Sequence, residues 1–226
     1  MMTMMIKIRF ALVLLLFIPA GLYGQANDFG IWYGVSVEHK VTKKLDIDLS
    51  TNIRTFNKAA KIEEAFLEAG VTYDLSKRFA LSGSYRVSKN IEKNGSYYFQ
   101  HKLFIDLKGN IPVGNFSFSC RARLQERTKT FLKDEQENPQ SYTGRIKVKA
   151  NYKTPVFPLN PYVYIETFSP MFSERTKTIE KERFSAGVEL SISRHNSVEL
   201  EYIFQRDYLP HLSDLNIISA NYNIKF

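Results

Sequence analysis

Alternation of apolar and polar residues, repeated along nearly the whole chain, is the feature that most constrains its fold. In the stretch LDIDLSTNIR, residues 45–54, apolar and polar side chains alternate with few exceptions. Successive side chains of a β-strand point to opposite faces, so this pattern predicts a strand with one apolar and one polar face. The sequence predicts eleven such strands, at 29–39, 45–56, 65–73, 79–88, 97–108, 116–127, 142–152, 162–169, 183–191, 197–206 and 216–226.

The segments between these strands fall into two classes that alternate along the chain. One class is mostly short: 41–44, 74–78, 109–115, 153–161 and 192–196. The other is mostly longer and strongly polar: 57–64, 89–96, 128–141, 170–182 and 207–215. Outer-membrane barrels alternate short periplasmic turns with longer external loops in this way. The pattern predicts an all-β, antiparallel, up-and-down transmembrane barrel of about 10 to 12 strands.

The strand count bears on where the first strand begins. An even number is expected when both chain termini lie in the periplasm. Eleven strands therefore mean either that one strand is missed or split, or that the first strand begins on the outer side. The sequence leaves both possibilities open.

The candidate lipid face of the predicted strands carries no Asp, Glu, Lys or Arg. Such a face suits contact with lipid, although the apolar core of a soluble barrel such as a lipocalin gives the same alternation. Aromatic residues at the short turns suit a membrane interface: Tyr73, Phe79, Phe116, Tyr152, Tyr162 and Phe226. The candidate lipid face comprises Ile31, Tyr33, Val35, Val37, Leu45, Ile47, Leu49, Leu67, Ala69, Val71, Tyr73, Leu103, Ile105, Leu107, Phe116, Phe118, Cys120, Ala122, Leu124, Ile146, Val148, Ala150 and Tyr152, with Ile218, Ala220, Tyr222, Ile224 and Phe226 of the last strand.

Both ends of the sequence point to export. Residues 1–24 have a basic start, an apolar run and a short cleavage zone, which predicts a signal peptide followed by a barrel domain over 25–226. The last strand ends in Tyr222, Ile224 and Phe226, a terminal pattern similar to the signal by which the assembly machinery recognises outer-membrane barrels. The chain has a single cysteine, Cys120, which excludes an intrachain disulfide.

Three segments carry a resemblance to a known family: GIWYGVSVEHKVTKKLDIDLS, GVTYDLSKRFALSGSYR and RFSAGVELSISRHNSVELEY. They resemble a Gram-negative outer-membrane β-barrel family catalogued as a domain of unknown function, of the 2490 type. The resemblance extends over essentially the whole mature chain. It implies an outer-membrane barrel of about this size, and it implies no activity and no functional residues.

The polar faces of the strands are strongly ionic. A basic stripe is predicted on two neighbouring strands, and acidic residues on others could face it across the lumen. Either the charges neutralise each other and plug the interior, or the stripe lines a small anion-preferring pore. The plug is favoured, because barrels of few strands are filled by side chains. The basic stripe is Arg121, Arg123, Arg145, Lys147 and Lys149, and the acidic candidates are Asp46, Asp48, Glu189, Glu199 and Glu201.

Catalytic and metal-binding signatures are weak. His101 falls on the predicted lipid face, where an outer-membrane phospholipase would carry a histidine, but no Ser-Asn-Gly segment accompanies it. His39, His101, His195 and His211 have no metal-ligand spacing. We therefore expect an outer-membrane barrel with a structural, transport or interaction role, without enzyme activity, cofactor or metal. The alternatives are a lipid-modifying enzyme of the outer membrane and a soluble periplasmic barrel for an apolar ligand.

The expected partners follow from export and charge. The net charge of +8 falls to +6 when Lys7 and Arg9 leave with the signal peptide. A basic exported protein favours anionic lipid and lipopolysaccharide over nucleic acid. We also expect contact with the barrel-assembly machinery and a monomeric state.

Overall fold

The computed structural model describes residues 28–91, 96–129, 140–155, 157–172, 179–209 and 211–226, so the predicted signal peptide lies outside the described residues. The described residues hold no helix with the length and apolar character needed to cross a membrane. The strands are β1 (Asp28–Lys40), β2 (Leu45–Phe56), β3 (Lys61–Asp74), β4 (Phe79–Ile91), β5 (Tyr97–Val113), β6 (Phe116–Lys129), β7 (Ser141–Tyr152), β8 (Leu159–Met171), β9 (Lys181–Ser191), β10 (Asn196–Asp207) and β11 (Ser213–Lys225).

The eleven strands form one closed barrel in chain order, which confirms the predicted fold class. Strands that follow each other in sequence pair antiparallel, but β1 and β11 pair in parallel, with Asp28 opposite Leu215 and Glu38 opposite Lys225. An odd number of strands makes this unavoidable, because the first and last strands then run in the same direction. The predicted antiparallel up-and-down barrel therefore has one parallel pair, at the seam where it closes.

The parallel seam also resolves where the first strand begins. The structure has eleven strands, and β1 starts at the end of the barrel opposite to the one where β11 finishes. We call the end with connections 41–44, 75–78, 114–115, 153–158 and 192–195 the turn end, and the opposite end the loop end. β1 begins at the loop end, which is the second of the two possibilities left by the sequence.

Three hairpins at the turn end share one local structure. The hydroxyl oxygens of Thr42, Ser76 and Ser193 each accept hydrogen bonds from the backbone N–H groups two and three residues later, at 3.0 to 3.2 Å. This turn leaves the two residues after the hydroxyl free to face solvent. In all three hairpins those residues are basic or histidine, so the turn end has a positively charged rim.

At the loop end, the β2–β3 connection is shorter than the sequence predicted. β3 begins at Lys61, and the tight turn before it places Asn57, Lys58 and Ala59 at positive φ. The side chain of Asp28 accepts hydrogen bonds from the backbone N–H groups of Asn57, at 2.7 Å, and Lys58, at 2.9 Å. The start of β1 is thereby fixed to this turn.

The outer wall of the barrel is apolar and the lumen is polar. Every residue of the candidate lipid face points outward, and Ile105 near the middle of β5 is 59% exposed. Tyr162 is a correction to the predicted interfacial aromatics: it is 4% exposed and its hydroxyl donates to Glu201 inside the lumen. Tyr162 lies in the same alternating series as Glu166 and Phe168, whereas Val163 and Ile165 face outward.

Candidate functional site in the barrel lumen

Arginine and aromatic side chains alternate around the middle of the lumen. Each guanidinium carbon lies 3.6 to 5.2 Å from the centre of one or two aromatic rings, within the range of a cation–π contact. Arg183 on β9 contacts Trp32 on β1, so the series closes across β10 and β11. We call this set the arginine–aromatic belt: Arg54, Arg86, Arg123, Arg145 and Arg183 with Trp32, Phe66, Phe104 and Phe168.

Carboxylates hold the arginines of the belt in place on the β5–β9 side. Arg123 and Arg145 stand directly opposite each other on β6 and β7, where like charges repel. Arg123 donates two hydrogen bonds to Asp106, at 2.5 and 2.6 Å. Glu166 accepts from Arg145 at 2.8 Å and from Arg121 at 2.6 Å.

A second pair of carboxylates serves the β2–β5 side. Glu64 binds Arg54 at 2.8 Å and Lys102 at 2.6 Å. Glu68 binds Arg86 at 2.6 Å. Buried charges are tolerated when they are paired in this way, and each of these carboxylates serves at least one cation.

The belt closes the lumen at its level. Phe104 and Glu166 are each only 2% exposed and Asp106 is 3% exposed, although all three point into the barrel. A water-filled channel would leave such side chains accessible. The belt and its ion pairs therefore fill the lumen at this level, and we refer to them together as the plug.

The plug carries an excess of positive charge. It contains seven cations, the five arginines of the belt with Arg121 and Lys102, against four carboxylates, Glu64, Glu68, Asp106 and Glu166. Three positive charges therefore have no carboxylate of their own. The lumen is set to favour anions over cations.

Two cavities flank the belt. The cavity at the loop end has a volume of about 290 Å³ and touches Trp32, Arg54, Lys102 and Arg183. The cavity at the turn end has a volume of about 450 Å³ and touches Lys108, Arg121, Lys147 and Lys149.

The predicted basic stripe lies in the lumen, but its main partners are carboxylates other than the five predicted acidic residues. Glu166 and Asp106 bind the three arginines of the stripe. Alternation alone could have placed both carboxylates inside, because Asp106 stands between outward-facing Ile105 and Leu107, and Glu166 follows Ile165.

The five predicted acidic residues have diverse surroundings. Glu199 pairs with Lys149 at 3.5 Å, and Asp46 pairs with Lys40 at 3.5 Å. Glu201 accepts hydrogen bonds from neutral groups, the hydroxyls of Tyr162 and Ser185. Asp48 and Glu189 face the lumen without an ion pair to any described residue. Of these five, only Glu199 neutralises a residue of the basic stripe.

The terminal strand contributes to the seam of the barrel. Tyr222, Ile224 and Phe226 alternate on the outward face of β11. The backbone N–H of Phe226 donates to Glu38 at 2.9 Å, and its carbonyl accepts from Lys40 at 3.0 Å. The residues of the predicted insertion signal therefore also complete the pairing with β1.

An ion pair and a charged hydrogen bond lie on the outer wall near the loop end of β9, β10 and β11. Arg206 binds Asp214 through two hydrogen bonds of 2.8 Å. Beyond the end of β10, the Tyr208 hydroxyl donates to Glu182 at 2.6 Å, and this hydrogen bond raises the pKa of Tyr208. These groups mark where the apolar surface gives way to a polar one.

The histidines form no metal site with the described residues, which hold no cluster of three or more potential ligands. His101 stays on the outer wall, where its Nδ1 atom and the Tyr85 hydroxyl share a hydrogen bond.

The closed barrel with an apolar wall and a charged lumen is the architecture of outer-membrane β-barrel proteins. The chain belongs to the family described as "Protein of unknown function (DUF2490)", whose model matches residues 29–216. This confirms the resemblance seen in the sequence. No curated protein matches the chain.

Solved structures of outer-membrane barrels are similar to it. The NanC porin is 13% identical, with 79% of this chain and 87% of the porin covered and a TM-score of 0.50. The β domain of the Bordetella autotransporter BrkA is 10% identical, with coverage of 74% and 78% and a TM-score of 0.45. The translocator domain of the autotransporter NalP from Neisseria meningitidis is 10% identical, with coverage of 74% and 70% and a TM-score of 0.44.

Proposed function

We propose that the protein is exported to the Gram-negative outer membrane, where it forms a sealed, non-catalytic barrel with a structural or interaction role. The observation that carries this proposal is the arginine–aromatic belt, which fills the lumen with buried, paired side chains. A diffusion pore of similar strand number would keep its mid-height side chains in water.

The distribution of polarity supports the membrane setting. An outward apolar wall has no stable contact with water over such an area, and lipid is the solvent that suits it. The alternative of a soluble barrel holding an apolar ligand needs an apolar interior. The lumen of this barrel contains arginine, glutamate and aspartate instead.

Export and membrane contacts complete the proposal. Residues 1–24 act as the signal peptide, and the barrel-assembly machinery recognises the last strand. The closed sheet has no free edge for pairing with a second copy, which supports a monomeric barrel. The basic rim at the turn end and the polar groups at the loop end suit anionic lipid and lipopolysaccharide headgroups.

Replacing Phe226 with serine should prevent membrane insertion while leaving secretion intact. The change removes the terminal aromatic side chain but keeps the backbone hydrogen bonds of the seam. Fractionation should then find the protein in the periplasm, and Phe79→Ser, another exposed aromatic at the turn end, should remain in the outer membrane. Normal outer-membrane yield of Phe226→Ser would contradict the role of the last strand as an insertion signal.

Purified protein in a planar lipid bilayer should show no steady conductance. The double variant Trp32→Ala with Phe168→Ala should conduct, because it deletes two of the four rings that fill the belt. Phe184→Ala, which changes the outer wall, should stay silent. All variants should keep the heat-dependent gel mobility of folded barrels. Steady conductance of the wild-type protein would overturn the sealed lumen.

A small anion-preferring pore is the second candidate, favoured by the excess of three cations in the lumen. It requires that the belt rearranges in the membrane. In that case wild-type conductance should prefer anions, and replacing Arg121 and Lys147 with glutamate should reverse the preference.

A further inference from the structure

The cavity at the turn end is lined by six cations. Of the described residues around it, Asp74 is the only acid. We call this cavity the inner basin and define it by Lys77, Arg78, Lys108, Arg121, Lys147 and Lys149. Its volume of about 450 Å³ lies in the range of small-molecule sites.

Three of these cations stand in one row across neighbouring strands. Lys108 on β5 is directly opposite Arg121 on β6, and Arg121 is directly opposite Lys147 on β7. Like charges in directly opposed positions destabilise a sheet. This row keeps three of them next to each other, inside the lumen and away from the outer solvent.

The carboxylates of the barrel compensate this row only in part, although Glu166 stands directly opposite Lys147. Glu166 binds Arg121 at 2.6 Å, but the same carboxylate also serves Arg145. Lys108 and Lys147 form no ion pair with any described residue, and the Nζ of Lys147 lies 3.4 Å from the centre of the Tyr164 ring. The buried Nε of Arg121 has no hydrogen-bond acceptor among the described residues.

The hydrogen-bond donors of the inner basin indicate which kind of ligand it can bind. Lysine and arginine side chains together with an unused guanidinium N–H are the groups that bind phosphate oxygens. Ser76, Asn110 and Ser119 add neutral polar groups to the same lining. The belt closes the lumen above, so a ligand must enter from the turn end.

We propose that the inner basin binds a phosphate-bearing anion of more than one negative charge, held by Lys108, Arg121 and Lys147. This assignment goes beyond the sealed-barrel function and does not depend on it. Two sources share the chemistry: a free phosphorylated compound of the periplasm, and the phosphate headgroup of a lipid in the inner leaflet.

The test uses inorganic pyrophosphate and the full-length mature barrel in a phosphate-free detergent. Isothermal titration should show saturable binding to the wild-type protein. The double variant Lys108→Gln with Lys147→Gln should raise the dissociation constant of pyrophosphate by about ten-fold or more for each charged hydrogen bond lost. Lys108→Arg with Lys147→Arg keeps the charges and should retain binding.

The matched control removes two charges from the same end of the barrel. Lys43 and Lys44 lie in the β1–β2 turn and do not line the inner basin. Lys43→Gln with Lys44→Gln should bind pyrophosphate like the wild type. Heat-dependent gel mobility checks that each variant is folded. Absence of binding to the wild type, or equal binding by the Lys108/Lys147 glutamine variant, would overturn the assignment.

Lipid nanodiscs distinguish the two sources. If a lipid headgroup is the natural ligand, discs containing phosphatidylglycerol should block pyrophosphate binding, while discs of phosphatidylcholine should not. If the ligand is a free compound, pyrophosphate should bind equally in both. Either result supports the inner basin as a phosphate site and identifies whether the ligand is a lipid headgroup or a free compound.

Discussion

Replacing Glu166 with glutamine should lower the free energy of unfolding of the barrel by about 3 to 5 kcal/mol. Glu166 is 2% exposed and its Oε1 atom lies 2.6 Å from Arg121 and 2.8 Å from Arg145. Glutamine keeps the shape of the side chain but removes the negative charge, so the arginines stay buried without compensation. Urea unfolding from lipid vesicles measures this change.

The chain provides its own probe for that experiment. Trp32 is the only tryptophan and belongs to the belt, so its fluorescence should report the loss of the plug directly. Glu189→Gln removes a lumen carboxylate that has no ion pair to a described residue and should leave stability nearly unchanged. Equal destabilisation by both variants would mean that Glu166 has no special role in holding the belt.

Replacing Ile146 with arginine should lower the free energy of unfolding by about 2 to 4 kcal/mol, because it places a charge on the lipid face near the middle of β7. Ile146 is exposed on the outer wall, whereas its neighbour Lys147 points into the lumen. Lys147→Arg changes the adjacent residue, which lies on the opposite face, and should lower the free energy of unfolding far less. Folding yield and urea unfolding in vesicles provide the comparison.

The same pair tests the assignment of the two faces. The contrast disappears if the barrel folds in water rather than lipid, because an exposed arginine then costs little. Similar tolerance at Ile146 and Lys147 would therefore contradict the membrane setting.

The fold could be predicted from the sequence because it depends on local alternation. Each of the eleven predicted strands corresponds to one strand of the barrel. The start of β3 was missed, since Lys61–Glu64 contains charges and resembles a loop. Glu64 is buried there because Arg54 and Lys102 neutralise it, and both lie on other strands.

The candidate site depends on strand register and on contacts across the lumen, which alternation does not determine. The stripe from Arg121 to Lys149 could be found because its residues are neighbours on one hairpin. The contact of Arg183 with Trp32 could not be predicted, because it joins β9 to β1 only after the barrel has closed.

The parallel seam gives the barrel a direction. The chain enters the wall at Asp28 on the loop end and leaves it at Lys225 on the turn end, after an odd number of crossings. The chain therefore starts at one end of the barrel and finishes at the other. In a barrel with an even number of strands, the first strand begins and the last strand finishes at the same end. A peptide tag placed ahead of Asp28 would be displayed beside the external loops, and one placed after Phe226 would remain with the turns.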